Sequence, residues 1–118
     1  SDWSTHEWLH FIRQLPQSAT LDQLKLLDKA FSLTGSGNAE ILCVWFVHVI
    51  RHGYAEAYPA LSRFLEVTGR RKFLMPLYGE MIRTKDGEKL AQEIYIKARP
   101  NYHFVSSNSI DKMLNWKA

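Results

Sequence analysis

The sequence has little of what would settle a function at a glance. Cys43 is its one cysteine in 118 residues, so no internal disulfide can form, and a lone thiol fits a reducing compartment. No long hydrophobic run is present. The most apolar stretch, residues 41–50, contains His48 and falls far short of the ~20 residues that a spanning helix needs. No basic-then-apolar export signal opens the chain, and the first residue is Ser1 rather than methionine, as in a fragment or a trimmed chain. Charge of one sign is scarce: the net charge is +3, too weak to argue for a nucleic-acid or membrane partner. Strict apolar–polar alternation, low-complexity segments and a fixed repeat period of the TPR or ankyrin kind are also missing. What remains is one ordinary soluble domain, 46% hydrophobic and 23% charged, expected to be cytoplasmic.

The signals that are present are helical. Ser4 with Glu7 forms a capping box, followed by Trp8, Leu9, Ile12 and Leu15 at helical spacing up to Pro16. Thr20 with Gln23 repeats the device ahead of Leu24, Leu27 and Phe31. Asn38 can cap a third helix, apolar almost all round, which runs to about His52 and stops at Gly53; it is expected at the centre of the core. A fourth helix over residues 54–68 must take Pro59 in its first turn or kink, and a fifth over 71–83 carries Pro76. Asp86 can cap a sixth, which turns Leu90, Ala91, Ile94, Tyr95 and Ala98 inward before Pro100, and residues 109–116 can form a short last helix. The spacing therefore predicts an all-α fold of six to seven helices, an antiparallel helix-hairpin array of the α-α superhelix, armadillo- or HEAT-like kind.

One motif invites a catalytic reading. His6-Glu7-Trp8-Leu9-His10 matches H-E-x-x-H, in which two imidazoles one helical turn apart share a zinc ion and the glutamate acts as general base. A catalytic zinc needs a third protein ligand, yet no glutamate occurs between Glu7 and Glu40, and Arg13 and Pro16 stand where a metzincin has glycine and histidine. Glu7 already has a use as the capping partner of Ser4. The match is read as chance, with His6, Glu7 and His10 holding no metal. His48 and His52 form a second i, i+4 pair, read as buried or half-buried histidines with ordinary hydrogen bonds.

"TGRRKF", residues 68–73, is more informative. Arg70, Arg71 and Lys72 stand where one helix ends and another begins. Cations that open a helix oppose its dipole by about 0.3–1 kcal/mol each, unless an anion compensates. An arginine beside a helix amino end makes a good carboxylate or phosphate site. Residues 70 and 72 can point one way and Arg71 another. The plainer alternative is a set of solvated charges, some serving the end of the preceding helix. No aromatic-interleaved basic stripe supports nucleic acid.

From residue 64 onward "FLEVTGRRKFLMPLYGEM" resembles the C-terminal helical domain of the leukotriene A4 hydrolase, aminopeptidase B and aminopeptidase O family. The shared pattern is Gly69-Arg70-Arg71-Lys72-Phe73, then Pro76-Leu77-Tyr78 and Glu80. Upstream, "NAEILCVWFVHVIRHGYAEAYPALSRFLEVTG" resembles the family's N-S-E-I-x-x-x-W helix and the A-x-P helix after it, which accounts for Pro59. The resemblance runs from about Trp3 to Trp116. It implies that residues 1–118 are the C-terminal domain of a larger zinc aminopeptidase, a metallopeptidase whose zinc and catalytic domain lie elsewhere in the same polypeptide, so that this chain alone is inactive and binds no cofactor. It further implies that Arg70 and Lys72 bind the C-terminal carboxylate of a peptide substrate, with leukotriene A4 hydrolase-like chemistry confined to a subset of the family. Arg71 replaces an uncharged residue of the family pattern and is at most accessory. A free-standing helical-repeat module that binds acidic peptides or RNA is the competing reading.

Overall fold

The structure is a computed structural model that describes residues 3–16 and 18–116; the extreme ends of the 1–118 span lie outside the described residues. The fold is all-α. Among the described residues seven α-helices follow in order: α1 Thr5–Arg13, α2 Leu21–Phe31, α3 Ala39–His52, α4 Tyr58–Val67, α5 Arg71–Met81, α6 Lys85–Ala98 and α7 Phe104–Leu114. Single 3₁₀ turns at Ala55–Ala57 and Arg99–Asn101 precede α4 and α7. No strand occurs among the described residues. The chain divides into two compact units, residues 1–58 and 59–118.

In the first unit the cap chemistry written in the sequence is realised. Ser4 Oγ accepts from the Glu7 N–H and Glu7 Oε1 accepts from the Ser4 N–H, both at 3.2 Å. Thr20 and Gln23 make the same exchange at 3.2 and 2.8 Å. Asn38 Oδ1 accepts from the N–H groups of Glu40 and Ile41 at the start of α3. Gly53 ends that helix with φ +68°, a left-handed conformation that glycine adopts without a steric cost. Trp8, Leu9 and Ile12 of α1 are buried, as are Ile41, Trp45, Phe46 and Val49 of α3, and the two helices pack together. Phe31 departs from the expected apolar stripe of α2. It is the last residue of its helix, stays 46% exposed, and sets its ring edge-on to Trp8 at 5.0 Å.

Asp28 organises the polar side of this unit. Its carboxylate accepts from the Thr34 N–H (2.8 Å), the Thr34 hydroxyl (2.6 Å) and the Tyr54 hydroxyl (2.8 Å). The Trp45 indole N–H donates to Thr34 Oγ1 at 2.9 Å, which links the buried ring to the network.

In the second unit Pro59 occupies the first turn of α4, where its missing N–H costs nothing. The sixth helix starts earlier than its expected cap allows. Thr84, not Asp86, is the N-cap of α6; its hydroxyl accepts from the Gly87 N–H at 2.9 Å, and Asp86 sits in the first turn, where an acid favours the dipole. The last helix begins at Phe104 rather than near residue 109, with His103 Nδ1 accepting from the Val105 N–H at 3.2 Å.

Three buried tyrosines from α5, α6 and the turn before α7 tie the second unit together. Tyr78 donates to the Tyr102 hydroxyl at 3.0 Å, and Tyr102 donates to the Leu65 carbonyl at 2.6 Å. Tyr95 donates to Asp111 at 2.5 Å, and Arg99 grips the same carboxylate through two hydrogen bonds of 2.9 and 2.8 Å. The Arg99 guanidinium holds the Asp111 carboxyl below the usual carboxylate range. Burial pushes the Tyr102 hydroxyl up to about 12, the Tyr78 hydrogen bond opposes the rise, and the Glu66 charge adds to it. A phenol raised in the folded state stabilises fully below the unfolded value of about 10 and loses that contribution as pH climbs through the folded one. Urea melts are therefore expected to show stability falling between about pH 10 and 12, with a shallower fall in Tyr102→Phe. Equal slopes in the two proteins would remove Tyr102 as a source of the alkaline loss.

Candidate functional site

The segment that carries the three cations is the bridge between α4 and α5. Residues 68–70 join the two helices, and Arg70 is the N-cap of α5 with extended backbone (φ −77°, ψ 122°). Among the described residues no side chain caps this end, and no acid stands in the first turn. The amino end of α5 thus presents its dipole's positive pole together with Arg70, Arg71 and Lys72, all exposed.

The three charges are sorted by direction. The Arg70 guanidinium carbon stands over the Phe73 ring at 5.7 Å from its centroid, and Lys72 Nζ stands over the same ring at 5.0 Å. Arg71 turns to α7, where its Nε and Nη2 donate to Ser109 Oγ at 3.4 and 3.2 Å. Ser109 passes the contact on by donating to the Val105 carbonyl at 3.2 Å. Residues 70 and 72 therefore share an aromatic neighbour, Phe73, while Arg71 reaches Ser109.

Both helices that flank the bridge are held at the same end of the second unit. The α4 carbonyls of Leu65 and Glu66 accept from Tyr102 Oη (2.6 Å) and Asn101 Nδ2 (3.4 Å). Phe73 is 7% exposed and its ring packs on Phe64 of α4 at 6.1 Å. Pro76, inside α5, offers no N–H to the Lys72 carbonyl four residues back. Sequence reasoning missed Phe73 as a platform and Ser109 as a tether. The first was visible as an aromatic directly after the cations; nothing marked the second, which lies 38 residues from its partner.

The histidine motifs take up other arrangements. His6 and His10 lie exposed on α1, beside a groove they share with Trp3, Glu7, Phe11 and Gln14. The Glu7 carboxylate is engaged by the Ser4 N–H, which is the wrong occupation for a general base. His48 is buried and His52 half-buried on α3; His52 Nδ1 lies 3.0 Å from the His48 carbonyl oxygen, so that nitrogen carries the proton. Among the described residues no group of three or more His, Cys, Asp and Glu side chains is placed to hold a metal ion, so the residues here do not fit a zinc site.

Comparison with known proteins bears on the chain as a whole. It is 28% identical over 117 residues to leucine aminopeptidase 2 of Neurospora crassa, an alignment covering 97% of this chain and 17% of the relative. Human aminopeptidase B is 25% identical over 118 residues, with 97% and 18% covered. Leucine aminopeptidase 2 of Yarrowia lipolytica is 32% identical over 84 residues, with 71% and 13% covered. The chain thus spans from 13% to 18% of the length of these curated relatives. The family model described as "Leukotriene A4 hydrolase, C-terminal" matches residues 3–114, and the chain belongs to that family.

Proposed function

We propose that this chain is the non-catalytic C-terminal domain of a cytoplasmic zinc aminopeptidase. It packs on the catalytic domain of the same polypeptide and presents Arg70 and Lys72 to the free carboxylate of a peptide substrate. The observation that carries this reading is the shared placement of those two charges over Phe73, beside a helix amino end that no described side chain caps. Family membership and the aminopeptidase names of the relatives support the enzyme class. Zinc belongs to the catalytic domain in this reading, and hydrolysis occurs there.

The contribution of this domain is positional. A carboxylate at the far end of a peptide is held while the amino end is cut, so binding energy remote from the chemistry fixes where the scissile bond lies. Arg70 is the stronger of the pair because its planar fork can meet both carboxylate oxygens. Arg71 acts as a tether to Ser109 rather than as an accessory ligand.

The test is Arg70→Ala in the intact enzyme. A charge-assisted hydrogen bond contributes about 1.5–3 kcal/mol, so kcat/KM for a tripeptide with a free carboxylate is expected to fall about ten- to hundred-fold. The same peptide as its C-terminal amide lacks the recognised charge and is expected to change little. Equal losses on both peptides would show that Arg70 does not read the carboxylate.

A further inference from the structure

Four aromatic rings of the first unit form one connected surface. Trp3 meets Trp8 at 4.8 Å between ring centroids and Phe11 at 5.3 Å, and Phe31 meets Trp8 at 5.0 Å. Trp8 is nearly buried, while Trp3 and Phe31, which both touch it, are each 46% exposed. A hollow of about 510 Å³ borders Trp3 and Phe11, and a second of about 340 Å³ borders Trp8 and Phe31. The larger one runs along residues 6, 7 and 10 of α1, which by helical spacing lie opposite the inward-turned Leu9 and Ile12. We propose that this aromatic surface seats a helix of the same polypeptide, from the segment just before residue 1; the inference rests on the function proposed above, which makes this chain the end of a longer protein.

Three observations select this occupant. The first is connectivity. The matching family model is the C-terminal one, and alignments that take in 97% of this chain cover 17% and 18% of two relatives. In that reading the rest of the polypeptide enters through residue 1, two positions before Trp3. A segment tied so close is present at an effective concentration in the millimolar range, so modest contacts seat it. A second copy of the chain lacks that tether. The second observation is the character of the face. α1 and α2, joined through Trp8 and Phe31, are the first pair of helices, and a helix array that stops at its first pair needs a polar outer surface there. This surface instead carries two half-exposed aromatic rings of the kind enriched where proteins are covered. The third is shape. Aromatic rings with two hollows beside them suit an amphipathic helix, whose apolar side chains project from one face at intervals of three and four residues.

The experiment places the photoreactive analogue p-benzoylphenylalanine at position 31 of the intact enzyme and, in a second protein, at position 10 beside the larger hollow. Phe31 is half exposed and His10 exposed, so both sites have room for the probe. Cleavage of a tripeptide amide at the parental rate verifies that each labelled enzyme is folded. After irradiation, mass spectrometry identifies what the probe has captured. Position 31 is expected to capture a segment of the same polypeptide within about 40 residues upstream of residue 1, the length of a helix hairpin with its loops. The captured positions are expected to fall three, four or seven residues apart, as on one helix face. Position 10 decides in the same way should the enzyme labelled at position 31 lose its activity. Capture of a segment from further upstream, a cross-linked species of twice the mass, or a probe that captures nothing would overturn the inference. None of these outcomes touches the ratio of free-carboxylate to amide cleavage in Arg70→Ala. An unchanged ratio there, alongside capture of the upstream helix, would remove the carboxylate reading alone.

Discussion

Trp45→Ala is expected to destabilise the protein by about 3–5 kcal/mol, a large share of the stability of a small domain. The indole is wholly buried on α3, so its loss opens a cavity that the surrounding helices fill only in part. Two further supports go with it. Thr34 Oγ1 loses the donor at 2.9 Å, and Tyr54 loses the ring whose edge it meets at 6.5 Å. Both residues hold Asp28, so the polar network slackens along with the core. Trp45→Phe keeps most of the volume and is expected to cost about 1–2 kcal/mol, chiefly the missing N–H bond. Urea denaturation of the three proteins measures the series. An alanine variant within about 1 kcal/mol of the parent, roughly the value of one hydrogen bond, would show that the ring is not central to the unit.

Gly87→Ala is expected to cost about 2–4 kcal/mol, opposite in sign to the usual gain from placing alanine in a helix. A Cβ at this position would collide with the Met81 carbonyl oxygen and lie 2.9 Å from Thr84 Oγ1. The first is backbone at the end of α5; the second is the hydroxyl that caps α6. Relief requires the α5–α6 turn to open, which removes the cap and strains the packing at once. Gly79→Ala in α5 is the control, because its Cβ meets nothing within 4 Å. That variant is expected to gain about 0.5–1 kcal/mol. If both alanines stabilise alike, the carbonyl of Met81 yields without cost and the tight turn has no energetic weight.

Much of the fold was legible because helix ends are local events. Ser4, Thr20, Asn38 and Gly53 act within four residues of themselves, so their sequence signatures survive folding. Asp86 failed for a related reason: Thr84 and Asp86 are both cap residues, and the choice between them is made by how tightly α5 turns into α6. The start of α7 was hidden because residues 104–109, "FVSSNS", are weak helix formers. The buried Tyr95–Ser107 hydrogen bond supplies what local propensity lacks. The division into two units left no composition shift to read. At the candidate site only Arg70 is extended, and Arg71 and Lys72 already belong to α5, so the alternation of an extended run does not account for the direction of Arg71. The tether to Ser109 depends on tertiary packing and had no local sign.

The bridge of residues 68–70 has little slack. On its upstream side Tyr102 and Asn101 grip the last carbonyls of α4, and on its downstream side Arg71 is pinned to α7. A connector clamped at both margins tolerates a change of side chain far better than a change of length. A substitution at residue 68 or 69 leaves both clamps in place, whereas one inserted or deleted amino acid there would rotate Arg70 and Lys72 away from Phe73.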